Sequence, residues 1–566
     1  MQGVSPRKGA PVNRSLAYAI AAALLAPALA SPAWSTDLPT FDPHRLSQEV
    51  RTLSSDAFEG RGPATAGETK TVDYVVARFK DAGLSPGGAI VDGKRTWTQP
   101  VPLGRFEIVG TPTFSLSEDG KAMALTQGEQ IAVRAAMDGS RKVDIENAPL
   151  VFVGYGVKAP ERHWDDFKGV DLKGKIGVVL VNDPDFETGR GDFGGKAMTY
   201  YGRWTYKYEE AARQGALGML VVHETAPASY GWATVKNSNT NVQFDIVRDK
   251  PAAEHPTLEG WIQHDLAVQM FKAAGLDFAA LKKQAQRRDF KPVTLDGVTF
   301  SAHYDVDAKV ITSQNIVGRV EGAKRPDETV IYSAHWDHLG VGAPDAKGDR
   351  IYNGAVDNAT GTAALIELGR AFARAPRPER SVVFLAVTAE EKGLLGSEYY
   401  ATHPLYPVGK TVADINTDAL DPSGPARNFS ISGNAKLGLL DRLIALAKTY
   451  GMSYAPDPHP EAGSFFRSDH FSFAKQGIPA ISFESGNDLV KGGKAAGEAA
   501  GKLYNREHYH QPSDEWQASW TFTGMAHDLR LLYQLGYQLA DSDAWPAWSK
   551  DSEFRAVREK TADQRK

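Results

Sequence analysis

Apolar side chains recur at helical spacing near the beginning of the chain. Over residues 67–82 they occupy every third or fourth position, as on one face of a helix: Val72, Val75, Val76 and Phe79. Gly83 follows directly, and glycine is common just after the last turn of a helix. The pattern predicts an amphipathic helix over residues 67–82.

Between about residues 100 and 300 the pattern changes to short β-branched runs separated by Gly, Pro and Asp. Examples are PLVFVGYG, KIGVVLVND and GMLVVHE, with one helical stretch, YKYEEAARQGA, before the last of them. Runs of this length and composition are typical of strands. We predict a compact β-rich module in this part of the chain.

From residue 314 onward, apolar strands alternate with helical stretches. The predicted strands are 329–334, 381–388, 412–416 and 479–483, and the predicted helices lie around 360–374, 394–402, 436–450 and 523–539. Apolar strands spaced by helices indicate an α/β fold, with a mostly parallel central sheet covered by helices on both faces. The last dozen residues are charged and poor in apolar side chains, so we expect no fixed structure there.

The amino terminus has the pattern of an export signal. Three basic residues lie within residues 1–14, an apolar run covers residues 16–29, and Ala-Leu-Ala at 28–30 offers a cleavage site. The apolar run is shorter than the roughly 20 residues of a spanning helix, and no later stretch is apolar enough to cross a bilayer. We therefore expect removal of residues 1–30, and a periplasmic or secreted protein whose mature chain has no membrane span.

The composition of the chain excludes several kinds of reaction and binding partner. The chain has 566 residues, which predicts two or three domains, and it has no cysteine, which excludes disulfides, thiol nucleophiles and thiolate zinc sites. Its formal charge is −5, and loss of the three basic residues of the signal changes this to −8. A mildly acidic exported protein is unsuited to binding nucleic acid. Any metal must therefore be held by His, Asp and Glu.

Residues that suit a metal follow the predicted strands. In an open α/β sheet, ligands bind beyond the carboxyl ends of the strands. The candidates at these places are His335 and Asp337 after the first strand, Glu390 and Glu391 after the second and Asp418 after the third, with Asp357 ahead of a helix and His510 in YHQPSDEW. Unneutralised, such acids would repel one another if they met at one edge, whereas a solvated rim of spread-out acids would need no metal.

The ligand types favour zinc. Nitrogen and oxygen ligands without sulfur suit Zn²⁺, with Mn²⁺ or Co²⁺ as substitutes. The candidate ligands are too many for one catalytic zinc that must keep an open position, but they fit two ions that share a carboxylate. We predict a site for two Zn²⁺ ions.

Six motifs resemble, in the same order, the signature blocks of the M28 family of zinc exopeptidases: SAHWDHLG, NGAVDNATGTAALIELG, TAEEKGLLGSEYY, DINTDAL, FRSDHFSFAKQGIPAISFESG and YHQPSDE. The resemblance covers residues 45–100 and 298–540. FVGYGVKAPERHWDDFKGVDLKGKIGVVLV and AARQGALGMLVV resemble a protease-associated (PA) domain, which many members of that family carry. The implied division is a signal peptide (1–30), the N-terminal part of a peptidase domain (37–135), a PA-like domain (136–297), the catalytic domain (298–545) and a tail (546–566).

The resemblance implies a role for each candidate. One zinc ion would be held by His335 and Asp418 and the other by Glu391 and His510, with Asp357 bridging the two. Glu390 matches the general base of the family, and Asp337 matches the aspartate that orients the metal-bound imidazole. Every one of these positions carries the expected residue type.

Elementary chemistry agrees with these roles. Two zinc ions lower the pKa of a bridging water to about 7, which gives hydroxide at neutral pH. Glu390 adjoins a ligand, so it can take the proton of that water and pass it to the leaving amine. Asp337, two residues from His335, would fix the imidazole tautomer, and Asp514 would do the same for His510.

Three other histidines were considered as site residues. His303 in SAHYDV has no acid cluster in register, so we expect a strand histidine. His338 is expected to be a satisfied turn histidine, with a place next to the metal ligands as the alternative. Ser468, Asp469 and His470 are adjacent in sequence and no G-x-S-x-G turn is present, so we expect a loop that lines the substrate pocket rather than a hydrolase triad.

The predicted function is that of an exported, binuclear zinc aminopeptidase, a metallo-exopeptidase acting on peptides with a free N-terminus. Glu484, after the last strand, is a candidate for holding the α-amino group, or for pairing with Arg or Lys. The alternative is a carboxypeptidase or dipeptidase of the same family, which would need a basic residue such as Arg467 for the substrate carboxylate. A single-metal glutaminyl cyclase and a non-catalytic binding protein are disfavoured by the complete ligand set. The preferred N-terminal residue and the oligomeric state are not assigned.

Overall fold

The computed structural model describes residues 38–565. Within this range the strands, numbered in chain order, are β1 (Ser85–Pro86), β2 (Ile90–Val91), β3 (Lys94–Arg95), β4 (Thr98–Glu118), β5 (Lys121–Leu125), β6 (Ile131–Val133), β7 (Lys142–Phe152), β8 (Lys158–Ala159), β9 (Trp164–Asp165), β10 (Ile176–Leu180), β11 (Gly218–His223), β12 (Gln243–Ile246), β13 (Leu258–Gln263), β14 (Val293–Val320), β15 (Arg325–His335), β16 (Gly340–Val341), β17 (Ile351–Tyr352), β18 (Arg380–Val387), β19 (Thr411–Thr417), β20 (Asn428–Ile431), β21 (Ser453–Tyr454) and β22 (Ala480–Ser485).

The α-helices of the same range include all six helical stretches that the sequence predicts. They are α1 (Pro43–Leu53), α2 (Ala66–Ala82), α3 (Trp204–Arg213), α4 (Thr225–Ala228), α5 (Trp232–Asn239), α6 (His264–Ala273), α7 (Phe278–Ala285), α8 (Thr360–Arg374), α9 (Leu395–Thr402), α10 (Gly438–Thr449), α11 (His470–Lys475), α12 (Gly493–Glu507), α13 (Thr523–Ala540) and α14 (Arg555–Glu559). Gly83 ends α2 with a φ of 91°, a left-handed conformation that glycine adopts without strain.

The four predicted apolar strands form the parallel centre of the sheet. β15 pairs in parallel with β18 on one side and with β19 on the other, and β22 pairs in parallel with β19. Every residue of β18 and β19 is buried, as expected for strands covered on both faces. The predicted α/β fold with a mostly parallel central sheet is confirmed, with β14 and β20 as antiparallel neighbours.

Successive residues of the central strands enter two different hydrophobic cores. On β18, Val382 and Phe384 belong to a large core that also contains side chains of α8, α10 and α13. Val383 and Leu385 belong to a second core, with Tyr400 of α9 and Phe473 of α11. Since side chains alternate between the faces of a strand, helices cover both faces of this sheet.

Two long strands connect the central sheet to the module between residues 100 and 300. β4 and β14 pair antiparallel from Thr98 opposite Ile316 to Glu118 opposite Val298. Beyond this ribbon, β7, β10, β11 and β13 pair in parallel and enclose cores of their own. The ribbon carries the same sheet from one part of the chain into the other.

The core of the module includes side chains that precede residue 136, the predicted start of the PA-like domain. They include Phe114, Leu116, Leu125, Ile131 and Val133. Part of this core comes from β4, which ends at Glu118, before the predicted boundary. The relation of the module to PA domains stays a prediction.

The prediction of no fixed structure for the last dozen residues is wrong up to residue 565. Residues 555–559 form α14, and Arg558 is buried there. Its guanidinium donates to the carbonyl oxygens of Thr411 (2.8 Å) and Val408 (3.2 Å) and lies over the ring of Trp545. The charged side chains bind carbonyl groups of the catalytic half, which composition alone does not reveal.

The predicted export signal, residues 1–30, lies outside the described residues. Among residues 38–565, no helix has the length and apolar character needed to cross a membrane.

Candidate metal centre

The candidate ligands occupy the ends of buried elements. His335 is the last residue of β15 and Asp337 follows two residues later; both are almost fully buried, with 1% and 0% of the residue exposed. Glu390 and Glu391 follow β18, and Asp418 follows β19 directly. The remaining two candidates, Asp357 and His510, come from the segment before α8 and the loop after α12.

Asp357 lies between the two histidines. Its Oδ1 is 3.2 Å from Nε2 of His335, and its Oδ2 is 3.2 Å from Nε2 of His510. His335 Nε2 also lies 3.1 Å from Asp418 Oδ1, and His510 Nε2 lies 3.2 Å from Glu391 Oε2. The structure thus brings all five predicted ligands together, with one carboxylate facing both halves of the cluster.

Glu390 lies at the edge of this cluster. Its Oε2 is 4.0 Å from His335 Nε2, and its backbone N–H donates to Asp337 Oδ1 at 3.1 Å. Burial raises the pKa of Glu390 well above its ordinary value, against the opposing effect of His335, and the neighbouring carboxylates of Asp418 and Glu391 raise it further. A carboxyl group with a raised pKa suits the uptake and release of a proton.

His338 belongs to the cluster and is not a satisfied turn histidine. It is fully buried, and its Nδ1 lies 2.6 Å from Glu391 Oε1. One nitrogen or oxygen each of His338, Asp357 and Glu391 falls within 4.8 Å of the others. His338 follows His335 by three residues. This short separation was the basis for the alternative prediction that His338 lies next to the metal ligands.

Asp337 contacts His335 mainly through its main chain. The carbonyl oxygen of Asp337 is 3.1 Å from His335 Nδ1, whereas the carboxylate Oδ1 is 3.7 Å away. Its carboxylate instead accepts the N–H of Glu390. The backbone carbonyl of Asp337 thus faces the imidazole while its side chain holds Glu390, and the orienting role of Asp337 stays a prediction.

Asp514 positions Asp357 rather than His510. Its carboxylate accepts the backbone N–H groups of Val356 and Asp357, both at 3.1 Å. Tyr504 donates a third hydrogen bond to it at 3.3 Å. Asp514 therefore binds the backbone next to the Asp357 carboxylate instead of the imidazole of His510. The loop turns after His510 and brings Asp514 close to residues 356–357.

Arg61 is a residue that the sequence analysis missed. It is buried, and its guanidinium donates to the carbonyl oxygens of Trp336, Asn353 and Gly354 at 2.6 to 2.8 Å. Burial lowers its pKa to about 10, although the acids of the cluster oppose this effect. Gly354 has a φ of 57°, and a Cβ there would meet His338 and Arg61 within 3 Å. Arg61 therefore joins the loop after β15 to the loop that carries Asp357.

The FRSDHF loop contacts the cluster without forming a triad. The Ser468 hydroxyl donates to Asp418 Oδ2 at 2.7 Å, and Asn416 donates to the Ser468 hydroxyl at 2.7 Å. Burial lowers the pKa of His470 to about 3, and within residues 38–565 its ring nitrogens have no hydrogen-bond partner. The loop supports a metal-ligand candidate and lines the neighbouring cavity, as predicted.

Two further predicted residues lie apart from the cluster. Glu484 accepts a hydrogen bond from Ser432 at 2.8 Å, and no Lys or Arg of residues 38–565 lies within 4.0 Å of it. Burial raises its pKa to about 7. His303 lies on β14 and pairs with Asp144 (2.7 Å) and Glu146 (3.2 Å), so it is a strand histidine, as predicted.

A cavity of about 410 Å³ opens beside the cluster. Glu390, Glu391 and His510 line it from the catalytic half, and Arg203 and Trp204 line it from the module. The module thus forms one wall of the space in which a substrate would meet the cluster.

The donor set fits zinc. Two imidazole nitrogens and three carboxylates form the predicted set, and Asp357 offers one oxygen to each side. Glu391 Oε1 and His338 Nδ1 are both buried and lie 2.6 Å apart, but not in the geometry of a hydrogen bond. Buried acids in such numbers are stable when a cation neutralises them, and imidazole and carboxylate are ligands that zinc accepts.

Comparison with known proteins agrees with these motifs. Residues 315–533 match the model of Peptidase family M28. Aminopeptidase NAALADL1 of Mus musculus is 35% identical over 127 residues, which are 21% of this chain and 15% of that protein. A probable zinc metalloprotease of Pyrenophora tritici-repentis is 34% identical over 112 residues, which are 19% of this chain and 25% of that protein. The chain therefore spans a quarter or less of the length of these two relatives.

Among solved structures, an aminopeptidase from Aneurinibacillus sp. strain AM-1 is similar over 88% of this chain and 94% of that chain, with a TM-score of 0.49 and 19% identity. The family match contains all five predicted ligands and Glu390, whereas Arg61 and the module lie outside it. Residues 315–533, the part of the chain that carries the cluster, match the Peptidase family M28 model, in agreement with the resemblance seen in the sequence motifs.

Proposed function

We propose that this protein is a zinc aminopeptidase that hydrolyses the N-terminal peptide bond of peptides. The observation that carries the proposal is the position of Asp357, whose two oxygens face His335 and His510 at the same distance of 3.2 Å. A carboxylate shared in this way is what a pair of metal ions requires. The family match and the names of the relatives support the same activity.

Five residues would hold the metals. One site would use His335 and Asp418, the other would use Glu391 and His510, and Asp357 would serve both. His338 adds a buried imidazole beside Glu391. Zinc bound there lowers the pKa of water to about 7 and polarises the scissile carbonyl.

Glu390 would move the proton. It lies within 4.0 Å of His335 but has no shorter contact with that imidazole, so its carboxylate is free to accept a proton from water. The raised pKa of Glu390 lets it hold that proton and then release it to the leaving amine. The hydrogen bond from its backbone N–H to Asp337 fixes the start of the loop that presents it.

The proposal includes the location of the protein and the nature of the module. We propose export on the basis of residues 1–30, and a PA-like role for the module on the basis of its sequence motifs. The wall that the module contributes to the cavity is consistent with a part in substrate access.

Activity on a panel of substrates tests this function. We expect the zinc-loaded protein to release aniline from free-amine aminoacyl anilides, to lose this activity with a chelator, and to leave N-blocked peptides intact. Glu390→Gln removes the proton acceptor with little change of shape, and we expect a loss of about a hundredfold or more in kcat. Glu146→Gln, an exposed glutamate on the module, is the matched control.

Other outcomes would point elsewhere. Cleavage of N-blocked peptides alone would show a carboxypeptidase. Failure on every substrate with zinc bound would favour a binding protein. Full activity of Glu390→Gln would remove that residue from the mechanism.

A further inference from the structure

The loop that carries Glu390 and Glu391 leads directly into α9. The carbonyl oxygen of Glu390 accepts the N–H groups of Gly393 and Leu394, both at 2.9 Å, and α9 begins at the next residue, Leu395. This tight turn leaves the loop little freedom of its own. A shift of α9 would therefore move the two glutamates.

The FRSDHF loop is connected to α11 in a similar way. The carbonyl oxygen of Ser468 accepts the N–H of Phe471 at 3.0 Å, in the first turn of α11. Ser397 of α9 and Ser472 of α11 share a hydrogen bond, with 3.0 Å between their hydroxyl oxygens. The two helices that follow the loops of the cluster are therefore joined to each other.

The module binds α9 through an ion pair. Arg248, which follows β12, donates to Glu398 Oε1 at 2.8 Å. Arg248 is held within the module by two hydrogen bonds to Asp245, at 2.7 and 2.8 Å. The side chains of Arg248 and Glu398 are 18% and 20% exposed, and a pair that is mostly shielded from water is screened less than one at the surface. The pair therefore fixes the place of α9 relative to the module.

A second ion pair binds α11 to the module. Lys475, the last residue of α11, donates to Glu209 of α3 at 3.0 Å. Tyr200 donates to the other oxygen of Glu209, and the ring of Tyr200 lies 5.1 Å from that of Phe471. Burial by itself raises the pKa of Glu209, but Lys475 and the Tyr200 hydroxyl outweigh it and hold the pKa below its ordinary value. Glu209 is therefore charged at neutral pH.

Both helices depend on such contacts for their position. α9 has 8 residues and α11 has 6, and helices of this length are marginally stable unless they pack against other elements. Both ion pairs lie on the wall of the cavity that Glu390 and Glu391 also line. The module thus reaches the loops of the cluster through α9 and α11.

We propose that Arg248 and Glu209 are positioning residues, which hold the Glu390 loop and the FRSDHF loop in place through α9 and α11. The inference rests on the proposed peptidase function and adds a role of the module in the chemical step. Arg248 and Glu209 lie outside the segment that matches the peptidase family, whereas their partners Glu398 and Lys475 lie within it. The catalytic half therefore depends on the module for the geometry of its own loops.

Variants on the catalytic side break each contact and keep the bonds within the module. Glu398→Gln leaves the bonds of Arg248 to Asp245 in place. Lys475→Met leaves Glu209 with its hydrogen bond from the module. With leucine anilide we expect kcat to fall by about tenfold to a hundredfold in each variant, because a small displacement of catalytic groups slows the chemical step. KM should stay within about threefold of the wild type, because no substrate contact is lost.

Two further variants test whether the ion pair itself is responsible. The double variant Arg248→Gln/Glu398→Gln should be no slower than the slower single variant, because both substitutions remove the same contact. Arg248→Lys keeps the charge and should recover part of kcat. Glu559→Gln breaks an exposed ion pair with Arg555 and is the control, which should keep the wild-type kcat.

The kinetic outcomes that would overturn the proposal are distinct. A rise in KM with an unchanged kcat would show that the pairs act on substrate binding instead. Unchanged kcat and KM in both Glu398→Gln and Lys475→Met would show that the loops do not depend on the module. Each pair has its own variant, so the test stays informative if one protein does not fold.

Two measurements without substrate separate this inference from the aminopeptidase proposal. Cobalt(II) bound in place of zinc gives a visible spectrum that changes with the arrangement of its ligands, and hydrogen exchange of residues 390–394 reports on the loop directly. We expect a changed spectrum and faster exchange in Glu398→Gln and Lys475→Met, and wild-type values in Glu559→Gln. These changes would support the positioning role even if no protein cleaved leucine anilide. A wild-type spectrum together with wild-type exchange in both variants would overturn it.

Discussion

At the scale of single residues, Arg61 shows how a distant side chain supports the candidate centre. It binds the carbonyl oxygens of Trp336, Asn353 and Gly354, which belong to the two loops that carry His335 and Asp357. A fourth bond, to the carbonyl of Leu53, connects these loops to α1. Carbonyl groups that are buried without a donor are destabilising, so the loops depend on this one guanidinium.

Arg61→Met keeps the length of the side chain and removes all four hydrogen bonds. We expect the free energy of unfolding to fall by about 3 to 5 kcal/mol, because several buried carbonyls lose their donor. Urea unfolding of the wild type and the variant measures this. Arg506→Met, at an exposed position, should stay within about 0.5 kcal/mol of the wild type. An unchanged midpoint for Arg61→Met would show that the guanidinium does not hold the loops.

The candidate ligands were predictable, but some of the residues that support them were not. His335, Glu390, Glu391 and Asp418 follow buried strands, and strand ends are visible in the apolar pattern of the sequence. Arg61 is 275 positions from Trp336, whose carbonyl it binds, and its sequence context is only a Gly-Arg-Gly-Pro turn. Such contacts depend on the folded arrangement of segments that carry no shared pattern.

At the scale of elements, a periodic apolar pattern predicts helices and strands, whereas no such pattern marks the boundaries of the module. The strands and helices that were predicted within residues 325–540 agree with the structure within a few residues, because one apolar pattern specifies each of them, whereas α12 was not predicted. The boundaries of the module stay predictions, because β4 and β14 connect it to the central sheet as one continuous ribbon. The C-terminal helix was missed because it is held by Arg558 on carbonyl groups and by one aromatic side chain, Phe554, which together make no periodic apolar pattern.

A largely enclosed histidine connects two strands of the module. His255 lies between Asp245 of β12 and Glu259 of β13, at 3.1 and 2.7 Å. Burial by itself lowers the pKa of His255, but the two carboxylates outweigh it and raise the pKa to about 10. Since the folded pKa lies above the ordinary 6.5, this group stabilises the fold fully below pH 6.5, and the contribution is lost as pH rises through 10.

This gives a pH dependence with a defined sign. Between pH 7 and pH 9.5, the wild type should lose stability relative to His255→Gln, by at most about 1.4 kcal/mol per pH unit. Urea unfolding of both proteins at several pH values provides the comparison. Parallel curves for the two proteins would mean that His255 is not protonated in the folded state.

At the scale of the whole molecule, metal binding should be coupled to stability. The cluster brings the acids Asp357, Glu390, Glu391 and Asp418 to one buried edge of the sheet, where their mutual repulsion opposes folding. A cation that binds the folded chain relieves this and shifts the folding equilibrium in proportion to its affinity.

Removal of the metal should therefore lower the melting temperature. Metal that is present at a thousand times its Kd adds about 4 kcal/mol to the folded state, so chelation should reduce Tm by several degrees. Asp357→Asn weakens both halves of the centre, so its Tm should respond much less to the chelator. Calorimetry with and without chelator measures both shifts. Equal responses of the two proteins would place the stabilising metal elsewhere.

The central claim is that the centre around Asp357 holds two zinc ions and that these make the protein an aminopeptidase. The most direct test is a titration of the metal-free protein with zinc while the hydrolysis of leucine anilide is followed. We expect no activity without zinc and a rate that reaches its plateau when two equivalents have bound per chain. A plateau at one equivalent would contradict the shared centre, and hydrolysis that is independent of zinc, or absent with zinc bound, would contradict the function.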